Sequence, residues 1–336
     1  MKYNEYGDYN AVRTAMIKDA HKIRIANKIV KVSGERRTLP LKERELDMVY
    51  YPALDGNEFP ISEKRPLIVG LHGGGFIFGG AALDDAMWVA VSKALCVNIA
   101  SIDYRLCPDY KWDDSITDCL DSTLYLIDHA EEFGFDSNHI SLMGQSAGAS
   151  IATTSSLAIN LVKNNISLDE KFDASLLNNK KIGSINYDNV ILVYPMLDQI
   201  TAPDDKGPGS YSGIICYVSN DLHCNDENIY SPLVSPIVAT EEMLKCHPAT
   251  IIVYSENDNL RHEAEKYGKM LKDVGVSAKN YLAEGMPHEF FECGFKAPSK
   301  FELQFLGENG SELAKNGKLK EGAIKALSFI KDNFNY

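Results

Sequence analysis

A doubly wound α/β fold on a mostly parallel sheet is what this 336-residue chain predicts. Three observations carry the expectation. Short apolar runs of strand length alternate with helical stretches along the chain. The run Pro66-Leu67-Ile68-Val69-Gly70-Leu71 leads directly into His72-Gly73-Gly74-Gly75-Phe76. A second short strand, His139 to Met143, leads into Gly144-Gln145-Ser146-Ala147-Gly148, which opens a helix.

Taken in order, residues 1 to about 45 are polar and charged, with a weak helical pattern from Tyr9 to Asn27. The first convincing strand is Leu46 to Tyr51, followed by Pro66 to Leu71. After the strand at His139, Ala147 to Leu161 is rich in Ala, Leu and Ile and reads as a buried helix. Lys163 to Tyr187, rich in Asn, Lys and Ser, reads as a long surface loop with one helical turn. Val190 to Tyr194 is a strand, and between Pro195 and His247 the stretch Gly207-Pro208-Gly209-Ser210-Tyr211 gives no regular core signal. Ala249 to Tyr254 is a buried strand, Asn259 to Leu271 a helix, and Ala278 to Ala283 an edge strand. Residues 296 to 317 are irregular before a closing amphipathic helix, Leu319 to Phe334.

The two glycine-bearing segments describe chemistry at a carbonyl. In Gly-x-Ser-x-Gly a serine sits on a strained turn between strand and helix, and Gly144 and Gly148 remove side chains that would clash there. Ser146 then projects at the strand's C-terminal edge. The N–H of Ala147 lies at a helix N-terminus, where the dipole favours negative charge. A triple-glycine loop after a strand supplies backbone N–H groups that can meet an oxyanion.

A serine hydroxyl needs a base within hydrogen-bond reach, and histidine has the suitable pKa. Downstream of Ser146 stand His223, His247, His262 and His288. His288 lies in Glu284-Gly285-Met286-Pro287-His288-Glu289-Phe290-Phe291, a turn backed by two aromatics. His262 reads as a surface group, His247 as structural, and His223 as part of a polar loop that could touch substrate. For the acid, Asp258 stands just past the strand Ala249 to Tyr254, at the sheet edge where such groups collect. Asp198 and Glu256 are its rivals, and a helix N-cap is the other role open to Asp258.

With 47 acidic against 34 basic residues, a net charge of -13 argues against nucleic acid and anionic membranes as partners. No run of 18 apolar residues exists, so nothing is expected to span a membrane. Seven cysteines without a C-x-x-C pair, and an N-terminus without an apolar signal core, lead to the expectation of reduced thiols in a cytoplasm. Cys216, His223, Cys224, Cys246 and His247 fit no zinc spacing, and neither metal nor cofactor is expected.

The chain resembles the hormone-sensitive-lipase branch of the α/β-hydrolase fold, bacterial carboxylesterases marked by HGGG. The resemblance covers Met48 to Phe291 and rests on HGGGFIFGG (72–80), DYRLCP (103–108), GQSAG (144–148), YSPLVSP (230–236), DNLR (258–261) and GMPHEFF (285–291). It implies Ser146 as nucleophile, Asp258 as acid and His288 as base. The N–H groups of Gly74, Gly75 and Ala147 make the oxyanion hole, with His72 and Gly73 in support. Asp103, Tyr104 and Arg105 are structural props near the site. It further implies a core of 46–195 and 246–336 and a small cap built from 1–45 and 196–245. The expected activity is hydrolysis of small, short-chain acyl esters. Deacetylation of carbohydrates, amide or peptide hydrolysis, and non-catalytic small-molecule binding are the alternatives, and a homodimer is left open. Three departures stand out: Gln145 where an acid is usual, Asn259 where proline is usual, and Glu289 where glycine is common. A charged Glu289 would raise the pKa of the adjacent imidazole.

Overall fold

The computed structural model describes residues 9–336 except 56, 58, 170, 171, 173, 174, 207–212, 226, 301, 305 and 308. The irregular stretch 207–211, with Tyr211, and the side chain of Cys216 therefore lie outside the described residues. The strands are β1 (Glu35–Leu41), β2 (Arg44–Tyr51), β3 (Arg65–Leu71), β4 (Asn98–Ile102), β5 (Phe135–Gln145), β6 (Asn189–Val193), β7 (Ala249–Asn257) and β8 (Ala278–Pro287). They form one eight-stranded sheet in the order β1-β2-β4-β3-β5-β6-β7-β8. The β1–β2 and β2–β4 pairs are antiparallel, and every pair from β4 to β8 is parallel.

The helices are α1 (Tyr9–Ile29), α2 (Asp85–Leu95), α3 (Trp112–Asp128), α4 (Ala130–Phe133), α5 (Ala147–Lys163) and α6 (Gly213–His223). After them come α7 (Glu241–Leu244), α8 (Arg261–Asp273), α9 (Phe290–Cys293), α10 (Gly310–Lys315) and α11 (Lys318–Asn333). Strand side chains alternate between two cores, as a period of two requires. Leu67, Val69 and Leu192 join Ile116 of α3, Ile151 of α5 and Tyr267 of α8. Ile68, Ile191 and Val193 join Trp88 of α2 and Ala323 of α11 on the opposite face. Each such buried side chain stabilises the fold by about 1.5–3 kcal/mol, so both faces must be covered. That covering makes the sheet doubly wound.

The structure corrects two boundaries. Residues 35–41, expected to belong to a cap, pair with β2 from Glu35↔Tyr50 to Leu41↔Arg44 and extend the sheet. Only Leu39 and Leu41 of β1 are buried, which is why its polar sequence did not read as a strand. The 163–187 loop folds back onto the core in two short turns, Ser175–Asn178 and Lys180–Ser184, and buries Ile182, Ile185 and Tyr187. The 196–245 insertion carries a helix, α6, with Tyr217, Val218 and Leu222 buried.

One regularity organises the chemistry. His72, Ser146, Asp258 and His288 each stand one residue past the C-terminal end of a strand, namely β3, β5, β7 and β8. All four are thereby delivered to a single edge of the sheet.

Candidate active site

Ser146 adopts φ 51° and ψ −116°, a region that a residue bearing a side chain occupies only when its surroundings impose it. Its N–H donates to the carbonyl of Val193 at 2.9 Å, and its carbonyl accepts from Ala149 and Ser150 at 3.1 and 3.2 Å. Gly148 makes the turn possible. A Cβ there would lie 2.1 Å from the carbonyl oxygen of Leu71 and 2.5 Å from that of His72. The start of α5 is thus pressed against the end of β3, which brings the triple-glycine loop to the serine. A Cβ on Gly73 would sit 3.6 Å from Ser146 Cβ.

His288 Nε2 is 3.0 Å from Ser146 Oγ, and Nδ1 is 2.7 Å from Asp258 Oδ2. With a carboxylate at Nδ1, that nitrogen carries the hydrogen and Nε2 is the acceptor for the serine hydroxyl. The other oxygen of Asp258 accepts from Leu260 N–H at 3.0 Å in the turn before α8, whose N-cap is Leu260 and not Asp258. All three side chains are buried, with relative exposures of 4% for Ser146, 3% for Asp258 and 1% for His288. Glu256 Oε2 accepts from Gly285 N–H at 2.7 Å and ties the end of β7, before Asp258, to the end of β8, before His288.

In the glycine loop Gly74 and Gly75 have φ of 120° and 59°. The Gly74 carbonyl accepts from Ile77 and Phe78 at 3.1 and 2.8 Å, curling the loop into a tight turn. The first-turn N–H of Ala147 has no partner within its own helix. His72 braces the loop from beneath: its Nδ1 lies 2.8 Å from the Gly73 carbonyl, and its ring stacks on Tyr104 at 4.2 Å. Tyr104 donates to the His72 carbonyl at 2.7 Å. Asp103 holds Asn27 of α1 at 2.8 Å, while Arg105 pairs with the buried Asp118 at 2.9 Å.

The remaining candidates lie elsewhere. Asp198 accepts from Ile200 and Thr201; burial opposes its charge, yet the Thr201 bonds hold it below the usual carboxylate range. His247 is buried beside Thr250, and burial lowers it to about 4. His262 is exposed, 3.5 Å from Glu265. His223 departs from its expected polar loop: it ends α6, is buried, and stacks on Phe76. Gln145 donates to Met87 Sδ at 2.8 Å. Burial, with Glu302 and Asp84 nearby, pushes Glu289 well above the usual carboxylate range. That direction opposes a negative charge beside His288.

Tyr194 escaped the sequence reading. Its ring packs 4.7 Å from the His288 ring, and its hydroxyl donates to Glu292 Oε2. Tyr194 follows β6 by one residue, so the rule that gathers chemistry at strand ends was signal enough to flag it. Among the described residues no group of three or more His, Cys, Asp or Glu side chains is disposed to hold a metal. No described helix is long and apolar enough to cross a membrane.

Residues 68–292 match the model of a family described as alpha/beta hydrolase fold. The chain is 28% identical over 260 residues to an arylesterase of Saccharolobus solfataricus, covering 76% of this chain and 77% of that one. It is 24% identical over 262 residues to carboxylesterase NlhH of Mycobacterium tuberculosis, covering 77% and 75%. The solved carboxyl esterase 2 of Tuber melanosporum superposes with a TM-score of 0.68 at 21% identity, over 91% of this chain and 89% of that one. The carboxylesterase EstE1 from a metagenomic library gives 0.68 at 20% identity, over 96% and 97%.

Proposed function

The chain belongs to the α/β-hydrolase fold family, in its hormone-sensitive-lipase-like branch, and on that premise we propose that it is a serine carboxylesterase acting on small esters. The observation that carries the reading is the hydrogen-bonded series Ser146–His288–Asp258, at 3.0 and 2.7 Å, beside the triple-glycine loop. The esterases among its relatives support the same reaction class.

In this reading Ser146 Oγ attacks the ester carbonyl carbon as its proton passes to His288 Nε2. The carbonyl oxygen takes the negative charge and is met by the N–H groups of Gly74, Gly75 and Ala147; losing one such donor costs about 2.7–4 kcal/mol. The bond to the alkoxy oxygen then breaks, His288 returns the proton to the departing alcohol, and an acyl group remains on Ser146. A water, deprotonated by His288, attacks that acyl carbon, and Ser146 leaves with the proton. Asp258 keeps the hydrogen on Nδ1 and stabilises the imidazolium without taking its proton. Short acyl chains are the family expectation for the substrate, and α1 with the 196–245 insertion is read as a cap over the site.

The test is Ser146→Ala with p-nitrophenyl acetate. Turnover falls by at least about 10⁴-fold with the fold intact; retained turnover ends the proposal.

A further inference from the structure

We infer that His223, at the end of insertion helix α6, is a positioning residue for the oxyanion loop. The inference rests on the proposed role of Gly74 and Gly75 as oxyanion donors. Phe76, the next residue, holds φ 65°, a conformation that a bulky side chain adopts only when its neighbours over-determine it. Two restraints are visible. The His223 ring lies face to face on the Phe76 ring, with centroids 3.6 Å apart and planes 8° apart. The Phe76 carbonyl accepts from Cys107 N–H at 2.9 Å.

These restraints close on one another. Cys107 Sγ lies 3.8 Å from His223 Nδ1, and the Cys107 carbonyl accepts from Arg24 of α1 at 2.7 Å. Lys111 Nζ donates to the Leu222 carbonyl at 3.0 Å and fixes the last turn of α6. Burial pushes His223 down to about 3 and Cys107 up to about 12. The imidazole is therefore neutral, the thiol is the donor, and Nδ1 accepts. An uncharged ring can lie buried on an aromatic face without a counter-ion. The strained residue after Gly75 is thus gripped through its side chain by one flanking segment, and through Cys107 by the other.

Without the stack, Phe76 is free to relax towards negative φ. That turns the Gly75–Phe76 peptide and displaces the N–H one residue upstream. Such a displacement weakens the transition state and leaves ground-state binding little changed.

The experiment compares wild type, His223→Ala and His223→Phe by kcat and KM on p-nitrophenyl acetate, and by Ki for an aryl trifluoromethyl ketone. The adduct of that inhibitor on Ser146 places its oxyanion in the same hole. His223→Ala is expected to lower kcat about 10- to 30-fold and raise Ki by a similar factor, with KM within about threefold. His223→Phe, which keeps an aromatic face on Phe76, recovers most of both. Should the alanine variant unfold below the assay temperature, His223→Leu, of similar bulk without an aromatic face, takes its place with the same expectation. Wild-type kcat and Ki in the Ala or Leu variant, a loss confined to KM, or a folded Phe variant as impaired as the others would each overturn the inference. A wild-type protein that neither turns over the ester nor is labelled at Ser146 by a fluorophosphonate would instead remove the esterase reading beneath it.

Discussion

At the elbow, backbone meets backbone; at α1 and the 196–245 insertion, single side chains reach across. Ser146 is fixed by its own N–H and carbonyl, and by glycines at 144 and 148 that let strand and helix touch. Helix α1 and the 196–245 insertion, proposed above as a cap, are fastened otherwise. Asn27 of α1 accepts from Ala82 N–H at 2.9 Å and donates to Asp103. Lys206 of the insertion pairs with the buried Glu263 of α8 at 3.0 Å. Arg13 of α1 meets Asp221 of α6 at 3.4 Å on the surface, where such a pair is worth about 0–1 kcal/mol. The contrast teaches that the elbow is set by steric exclusion, and α1 and the insertion by bonds that can be lost one at a time.

The largest effect is expected where exclusion rules. Gly148→Ala places a methyl 2.1 Å from the Leu71 carbonyl oxygen, so α5 must withdraw from β3. A loss of about 3 kcal/mol in stability and about 100-fold in ester turnover is expected, read by thermal melting and initial rates. Wild-type melting and rates would show that the contact yields more easily than the geometry says.

An intermediate effect concerns Glu292, which burial, helped by the charge of Asp84, pushes up to about 8. A carboxyl raised in the folded state holds its proton more tightly there than in the unfolded chain. Folding stability therefore declines as pH rises from the ordinary 4.5 to about 8, and the cost is complete above that window. Glu292→Gln removes this decline, so its advantage over wild type in melting temperature should grow as pH rises across the window. A difference that is constant with pH would refute this.

The smallest effect sharpens the comparison from the cap side. Asn27→Ala strands the buried N–H of Ala82 and frees one oxygen of Asp103. That costs about 1–3 kcal/mol, with kcat staying within about threefold of wild type. A large fall in kcat with unchanged stability would mean that α1 acts on the chemistry more directly than its contacts indicate.

The same contrast explains what could be read in the sequence. Close approach of two backbones demands glycine, and such glycines are visible in the sequence: hence 74, 144 and 148, along with the apolar strands β3, β5 and β7 that lead to the site. Asp258 and His288 could be singled out because each stands a few residues past an apolar strand. Helix α1 and the insertion leave no such trace. Asn27 and His223 act through one side chain each, and nothing around His223 separates a buried stacking ring from a loop histidine. The polar strand β1 was invisible because only two of its residues face the core. The effect of Glu289 was left open for a related reason, since burial, Glu302 and Asp84 act on it only in the folded chain.

Helix α5 is buried at every position from Ala147 to Leu161, largely with Ala, Ser and Thr. Extra volume there has nowhere to go. A lineage descending from this chain would thus inherit the rod beneath the serine almost unaltered.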